Sequence, residues 1–399
     1  MPDRIPEGWR ECKLGEVAEI KGGKRLPKKV NLINTPNSHP YIRTRDINNH
    51  KIMINELLFV PENVFPLISW YTVDTNDIII SIAGTIGLCA IIPPLLDHAN
   101  LTENCAKLIN LKEEKIDRKY LFYYLISSIG NEEIKVRIVG STQPKLPLYN
   151  IRDIPILLPS LPEQRAIASL LSSFDDKIDL LYRENQTLEQ MAEVIFRQWF
   201  IEEADEEWEE GTIEDVIEFN PPRKLMKGTV APYLEMASLS NSTFMPDNWY
   251  EREYFSGTRF INGDTLLARI TPCLENGKTA FVTFLKEKEV AWGSTEYIVM
   301  RPKEQINPFF AYILARLKDF RDYAKGCLEG SSGRQRVNIN HLMAYPIKIP
   351  NKEAILNFNS IVDKIVPKLQ NNASQIRTLE KLRDTLLPKL MSGEVRVKV

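Results

Sequence analysis

The sequence predicts an α+β protein in which two similar globular domains are separated by two long helices paired as an antiparallel coiled coil. Three observations carry this reading. They are an ordered internal repeat, two long polar segments with apolar residues every seven positions, and short β-rich runs that outnumber helices in each repeat unit. With 399 residues, 43% of them hydrophobic and 26% charged, the chain has an ordinary globular composition and more length than one core usually organises. The apolar stretch from Asp77 to Leu96 is interrupted by Gly and Pro and rich in β-branched residues, so no transmembrane span is expected. The opening MPDRIPEGWRE has no apolar signal core, and a cytoplasmic location is expected.

The repeat is carried by four matches in the same order. WRECKLGEVAEIKGGKRL (Trp9 to Leu26) aligns with WEEGTIEDVIEFNPPRKL (Trp208 to Leu225), and PYIRTRDI (Pro40 to Ile47) with PYLEMASL (Pro232 to Leu239). KYLFYYL (Lys119 to Leu125) aligns with PFFAYIL (Pro308 to Leu314), and IPILLP (Ile154 to Pro159) with YPIKIP (Tyr345 to Pro350). The offset drifts from 199 to 191, as loop insertions and deletions would make it. Domains are expected at 1–157 and 204–349, with helical segments at 158–203 and 350–399. Within the domains, DIIISIAG, AKLINL, DTLLARI, TAFVTFL and TEYIVM read as strands. One helix is expected near Tyr120 to Ile129 and one from Pro308 to Asp322.

After each domain the apolar residues step by seven. Ile167, Phe174, Leu181, Leu188 and Ile195 form one column, flanked by Leu171, Ile178, Asn185, Ala192 and Trp199. In the second segment Phe358, Ile365, Asn372, Leu379 and Leu386 lie beside Val362, Leu369, Ile376, Arg383 and Leu390. Five heptads with one Asn in each seam are the pattern of a two-helix coiled coil. Asp175, Asp176 and Lys177 are expected on the solvent face. The first helix, from Glu163 to Trp199, spans about 55 Å at about 1.5 Å per residue. Pro367 predicts a bend or break near Val366, and Pro388 a fraying end.

Few motifs carry chemistry. NPPR (Asn220 to Arg223) is similar to the N-P-P-aromatic loop of adenine methyltransferases, but Arg223 stands where the aromatic should stack on a flipped base. Its repeat copy is KGGK, so a turn is the better reading. GKT (Gly277 to Thr279) has Pro272 where a phosphate loop needs its leading Gly. Cys12, Cys89, Cys105, Cys273 and Cys327 are scattered, which supports neither a zinc site nor a disulfide framework. His39, His50, His98 and His341 have no recognisable partners in the sequence and read as structural or solvated. No catalytic, cofactor-binding or metal-ligating residues are therefore expected.

Charge points to nucleic acid. The formal net charge is −2, but EEADEEWEE (Glu202 to Glu210) holds seven acids, and the rest of the chain sums to +5. Between Lys21 and Lys51 eight bases face a single acid, Asp46. Lys24, Arg25, Lys28 and Lys29 crowd one loop, and Arg43 and Arg45 share a face if that stretch is a strand. The second unit offers Arg223, Lys224 and Lys227 in the matching loop, with Arg269 elsewhere. The loops GSTQPK, with Gln143 and Lys145, and GSSGRQR, with Arg334, Gln335 and Arg336, also correspond. Gly, Ser and Thr admit close phosphate approach, while Arg and Gln can read purine edges, Arg334 being one such reader.

LPSLPEQRAIASLLSSFDDKIDLLYRENQTLEQMAEVIFRQWF (Leu158 to Phe200), IRTLEKLRDTLLPKLMSGEVRV (Ile376 to Val397) and the openings GWRECKLGEV and EWEEGTIEDV complete the set. Together they resemble the specificity (HsdS) subunit of type I restriction–modification systems over essentially the whole chain. The resemblance implies two target recognition domains, each reading one half of a split, asymmetric double-stranded DNA sequence, with the paired helices as a ruler between them. It further implies two methyltransferase (modification) subunits, which supply S-adenosylmethionine, and restriction/translocase subunits. Exposed helix faces leave self-association of the isolated chain open. Rival readings are an adenine methyltransferase built on NPPR, or a stand-alone coiled-coil DNA-binding regulator or scaffold without methylation partners.

Overall fold

A computed structural model describes residues 5–331 and 333–398. Its contacts divide the chain into two units. One holds the residues up to Lys177 together with those from Leu379 onward, and the other is Ile178–Thr378. Each long helix therefore contributes to both.

The two units repeat one topology. In the first, strand Arg10–Lys13 pairs antiparallel with Pro155–Leu158; in the second, Glu210–Thr212 pairs with Pro346–Lys348. Each has a four-stranded antiparallel sheet. Its order is Glu19–Gly22, Cys105–Ile109, Ile78–Ser81, Cys89–Ile91 in the first unit. In the second it is Ile217–Phe219, Tyr297–Pro302, Thr265–Ala268, Thr279–Phe281. The central strands are buried on both faces, which explains their unbroken apolar runs. Ile78 and Ile80 face one core and Ile79 another, while Leu267 and Leu266 divide in the same way in the second unit. A further small sheet in each unit contains one parallel pairing, Pro40–Ile42 with Asn100–Leu101 and Val230–Leu234 with Ala291–Gly293.

Two short helices follow each sheet, Arg118–Ile126 and Ser128–Lys135, then Phe309–Arg316 and Lys318–Gly326. The single helix expected from Pro308 to Asp322 is thus two, separated at Leu317, whose backbone turns extended at ψ 137°. Buried Ser127 makes the matching break, accepting from the Gly130 N–H at 3.2 Å.

The long helices are Leu161–Arg197, followed by a wider turn over Gln198–Glu202, and Lys352–Ser392. They pair antiparallel within each unit. In the first, Ile167 and Leu171 share a core with Leu387, Leu390 and Met391, and Asp175 pairs with Arg383 at 2.8 Å. In the second, Phe196 and Phe200 pack on Phe358, and the two seam asparagines meet, Asn372 Nδ2 donating to Asn185 Oδ1 at 2.9 Å. The same Nδ2 also reaches Glu184 Oε2 at 3.0 Å, and both asparagines are buried.

Ile167, Leu181, Phe358 and Ile365 are buried, whereas Phe174, Leu188, Ile195, Leu379 and Leu386 are half-buried. Towards the end of each helix the buried column moves forward by one residue, from Ile195 to Phe196 and from Leu386 to Leu387. A straight α-helix drifts about 20° per heptad from a strict seven-residue repeat. Over five heptads that amounts to about one residue step of 100°.

Three expectations need correction. The second helix has no break near Val366 and runs on through Pro367 and Pro388. Pro367 is exposed, and buried Ile365 and Leu369 hold both sides of it. Asp175 is not simply solvated, because it accepts from the Tyr123 hydroxyl at 2.6 Å as well as from Arg383. Arg43 and Arg45 do not share a strand face, because the strand ends at Ile42 and a tight helical turn covers Thr44–Asp46.

Leu369→Ala should lower stability by about 2–5 kcal/mol, read as a reduced urea midpoint, because it opens a cavity in the seam. Exposed Leu382→Ala should stay within about 0.5 kcal/mol of the parent.

Candidate nucleic-acid interface

In the first unit the basic loop leaves the sheet through two backbone bonds, Gly23 N–H to the Cys105 carbonyl at 3.0 Å and Lys24 N–H to the Leu101 carbonyl at 2.8 Å. A Cβ on Gly23 would collide with the Leu101 and Thr102 carbonyls, so this close approach requires glycine. The buried Tyr41 hydroxyl donates to the Lys24 carbonyl at 2.8 Å, and Lys24 Nζ lies 5.3 Å from the centre of the Tyr71 ring. Burial pushes the Tyr41 hydroxyl up to about 12, so it stays a donor. Lys28, Lys29 and Arg45 are exposed.

Not all the predicted cations are free to meet a phosphate. Arg43 wraps buried Asp46 with bonds of 2.9 and 2.6 Å and donates to the Glu56 carbonyl at 2.9 Å. Arg25 holds Glu103 at 2.5 Å, though its side chain remains 79% exposed. In the second unit Arg223 pairs with fully buried Asp264 at 3.1 Å, and Arg301 meets the same carboxylate at 2.6 Å. Asp264 also accepts from the Ile261 N–H at 2.8 Å. Lys224 and Lys227 of the same loop are exposed.

NPPR is a structural turn. Asn220, at φ 48°, donates its N–H to the Val299 carbonyl at 2.8 Å, and its side-chain oxygen accepts from the Val299 N–H at 2.9 Å. That oxygen is already occupied where a methyltransferase loop would receive an adenine amino group. Lys278 of GKT donates to the Met236 and Ala237 carbonyls at 3.0 and 2.8 Å. The histidines do have partners: His39 with Glu62, His98 with Asp74 and Asp97, His341 with Glu329, and His50 with the Cys89 carbonyl.

The two Gly/Ser loops occupy equivalent places. In the first unit Ile82 N–H donates to the Asn104 carbonyl at 2.7 Å, Leu146 N–H donates to the Ile82 carbonyl at 2.9 Å, and Lys145 bridges Ala83. In the second, Arg269 N–H donates to the Glu296 carbonyl at 3.0 Å, Val337 N–H to the Arg269 carbonyl at 2.8 Å, and Arg336 bridges Ile270. Bond for bond the frame is the same. Gln143 and Lys145 are exposed in one, and Arg334 and Arg336 in the other. Gln335 is half-buried, its backbone held by Thr271.

The side chains on this frame differ. Ile82, Asn104 and Lys145 become Arg269, Glu296 and Arg336. Glu296, 21% exposed, receives Arg336 Nε on both oxygens at 2.9 Å and Nη2 at 2.7 Å, with Arg269 Nε 4.0 Å away. The Arg336 hydrogen bonds hold the Glu296 carboxyl below its ordinary range. Beside them lies an open cleft of about 500 Å³, lined by Arg269, Gly330, Arg336, Asn338 and Asn340. Glu296 and Asp264 were not singled out from the sequence. Aligning the repeats around Asn104 would have exposed the first.

The model of the type I restriction modification DNA specificity domain matches residues 6–190 and again 205–385. Among curated proteins, the type I restriction enzyme MjaIX specificity subunit of Methanocaldococcus jannaschii is 25% identical over 431 residues, covering 99% of this chain and 95% of that one. The HindI specificity subunit of Haemophilus influenzae is 21% identical, covering 97% of this chain and 99% of that one. In fold, the chain is similar to the crystal structure of a type I restriction–modification S subunit from M. genitalium. The TM-score is 0.57 with 17% identity, covering 98% of this chain and 97% of that one.

Asp264→Ala should destabilise the second unit by about 3 kcal/mol, because two guanidiniums lose their buried partner while staying partly hydrated. Thermal unfolding checks this, with Lys227→Ala, an exposed change, as the neutral comparison.

Proposed function

The chain belongs to the type I restriction–modification DNA specificity family, and from that premise we propose that it is the DNA-reading subunit of such a complex. The two family matches fall on the two repeat units, which supports a bipartite target with one half read by each. We assign the readers to 1–157 and 204–349 and the connecting helices to 158–203 and 350–399. The single observation that carries the reading is the duplicated backbone frame bearing different side chains. It serves two unlike half-sites on one scaffold, as an asymmetric target requires.

Phosphate contacts from exposed Lys24, Lys28, Lys29, Arg45, Lys224 and Lys227 supply affinity, and side chains of the Gly/Ser loops supply discrimination. The helix pair sets the gap between half-sites and gives two methyltransferase subunits a place to dock. Restriction/translocase subunits join that core. The chain itself performs no bond chemistry in this scheme: S-adenosylmethionine and ATP enter with the partners, and the turn at Asn220 is structural. No helix among the described residues is long and apolar enough to cross a membrane; the cytoplasmic site of action is part of the proposed role.

Methylation mapping of the host genome tests this. A split adenine-methylated motif should vanish when the chain is deleted, and an unchanged methylation pattern would refute the role. A chain that binds DNA yet never co-purifies with a methyltransferase would favour a stand-alone regulator. Lys28→Ala with Lys29→Ala should weaken binding on every sequence. It should also flatten the plot of log affinity against log salt by about 1.8, the expectation for two lost phosphate contacts. An unchanged slope removes those lysines from the phosphate contacts.

A further inference from the structure

Granted the DNA-reading role proposed above, we propose that Arg336 is a guanine-reading side chain of the second unit, and that Glu296 is the positioning residue that holds its guanidinium ready. A guanidinium has two usable edges. Glu296 takes the Nε/Nη2 edge of Arg336 through contacts of 2.7–2.9 Å. No other described residue meets the Nη1 side, so the Nη1/Nη2 end keeps two parallel N–H groups. Two parallel donors match the O6 and N7 acceptors that guanine shows in the major groove.

The Arg336 side chain is 49% exposed while that of Glu296 is 21% exposed, so the carboxylate acts as the backstop and the arginine as the tip. Holding a long side chain in one rotamer beforehand removes part of the ordering cost of binding. Glu296 is itself fixed. Its N–H donates to Ser294 Oγ at 3.1 Å, its carbonyl accepts from the Arg269 N–H, and the Arg269 guanidinium stands 4.0 Å behind it.

Arg334 differs. It lies exposed on the turn of the loop, with no carboxylate partner among the described residues. That freedom suits a phosphate contact as well as the base-reading role its loop composition indicates. In the first unit the same frame presents Lys145 and Asn104, a point charge and an amide. The two half-sites therefore need not share this guanine.

The test is selection from a randomised duplex library by the full chain co-expressed with its methyltransferase partners. The parent should select a split motif with an invariant guanine in one half. Arg336→Lys keeps the charge but loses the paired donors. It should relax that guanine by about 5- to 150-fold in preference, leaving the other half and the salt slope unchanged. Glu296→Gln should loosen the same position. A motif unchanged in Arg336→Lys, a uniform loss on all sequences, or relaxation at a base other than guanine overturns the assignment. Relaxation by Arg336→Lys with none by Glu296→Gln removes the positioning role. If the parent selects no split motif, the DNA-reading role fails first and this assignment with it.

Discussion

Two apolar stripes that water cannot be left to cover govern this molecule. The helices Leu161–Arg197 and Lys352–Ser392 each carry a seam of buried residues. Nothing in either helix alone can bury its own stripe. Pairing them antiparallel covers both, and it does so inside each unit with different chemistry. Asp175 and Arg383 mark the pairing in one, and Asn185 and Asn372 mark it in the other. The buried asparagines gain little stability but penalise any slip, since a displaced partner would face hydrocarbon with an unmet amide.

Around that seam the fold separates what must be constant from what must vary. The constant part is backbone: the same order in the four-stranded antiparallel sheet, the same parallel pairing, and the same three contacts at the Gly/Ser loop in both units. The variable part is the side chains hung on it. An Ile–Asn–Lys set stands in one copy where the other has Arg–Glu–Arg. Under the proposed role sequence readout resides in a few such groups, and a frame built from main-chain hydrogen bonds tolerates their exchange. The Asp264 cluster shows the opposite use of the same residue types. There, two arginines are spent on a buried carboxylate that ties a loop to the sheet.

Much of this was legible in the sequence, because repeats and heptads are local patterns. The strand runs stood out since Ile78–Ser81 and Thr265–Ala268 are buried on both faces and so are apolar but for Ser81 and Thr265. The asparagine pair was legible as a polar break in each seam. The fate of individual cations was not. Arg223 turns inward because of Asp264, 41 residues on, and Arg336 is held by Glu296, 40 residues before it. Between Lys21 and Lys51 charge alone does not distinguish Arg43 from Lys28, although Arg43 has buried Asp46 within reach. Helix continuity through Pro367 was equally hidden, for tertiary contacts on either side outweigh one missing hydrogen bond.

The most direct measurement inserts one heptad into each long helix beside the Asn185–Asn372 pair, which keeps the seam in register, and selects the DNA target again. Seven residues add about 10 Å of helix, the length of about three base pairs. If the paired helices set the gap, it widens by about three base pairs while both half-sites stay as they were. A gap that does not change, or half-sites that do, would contradict the account.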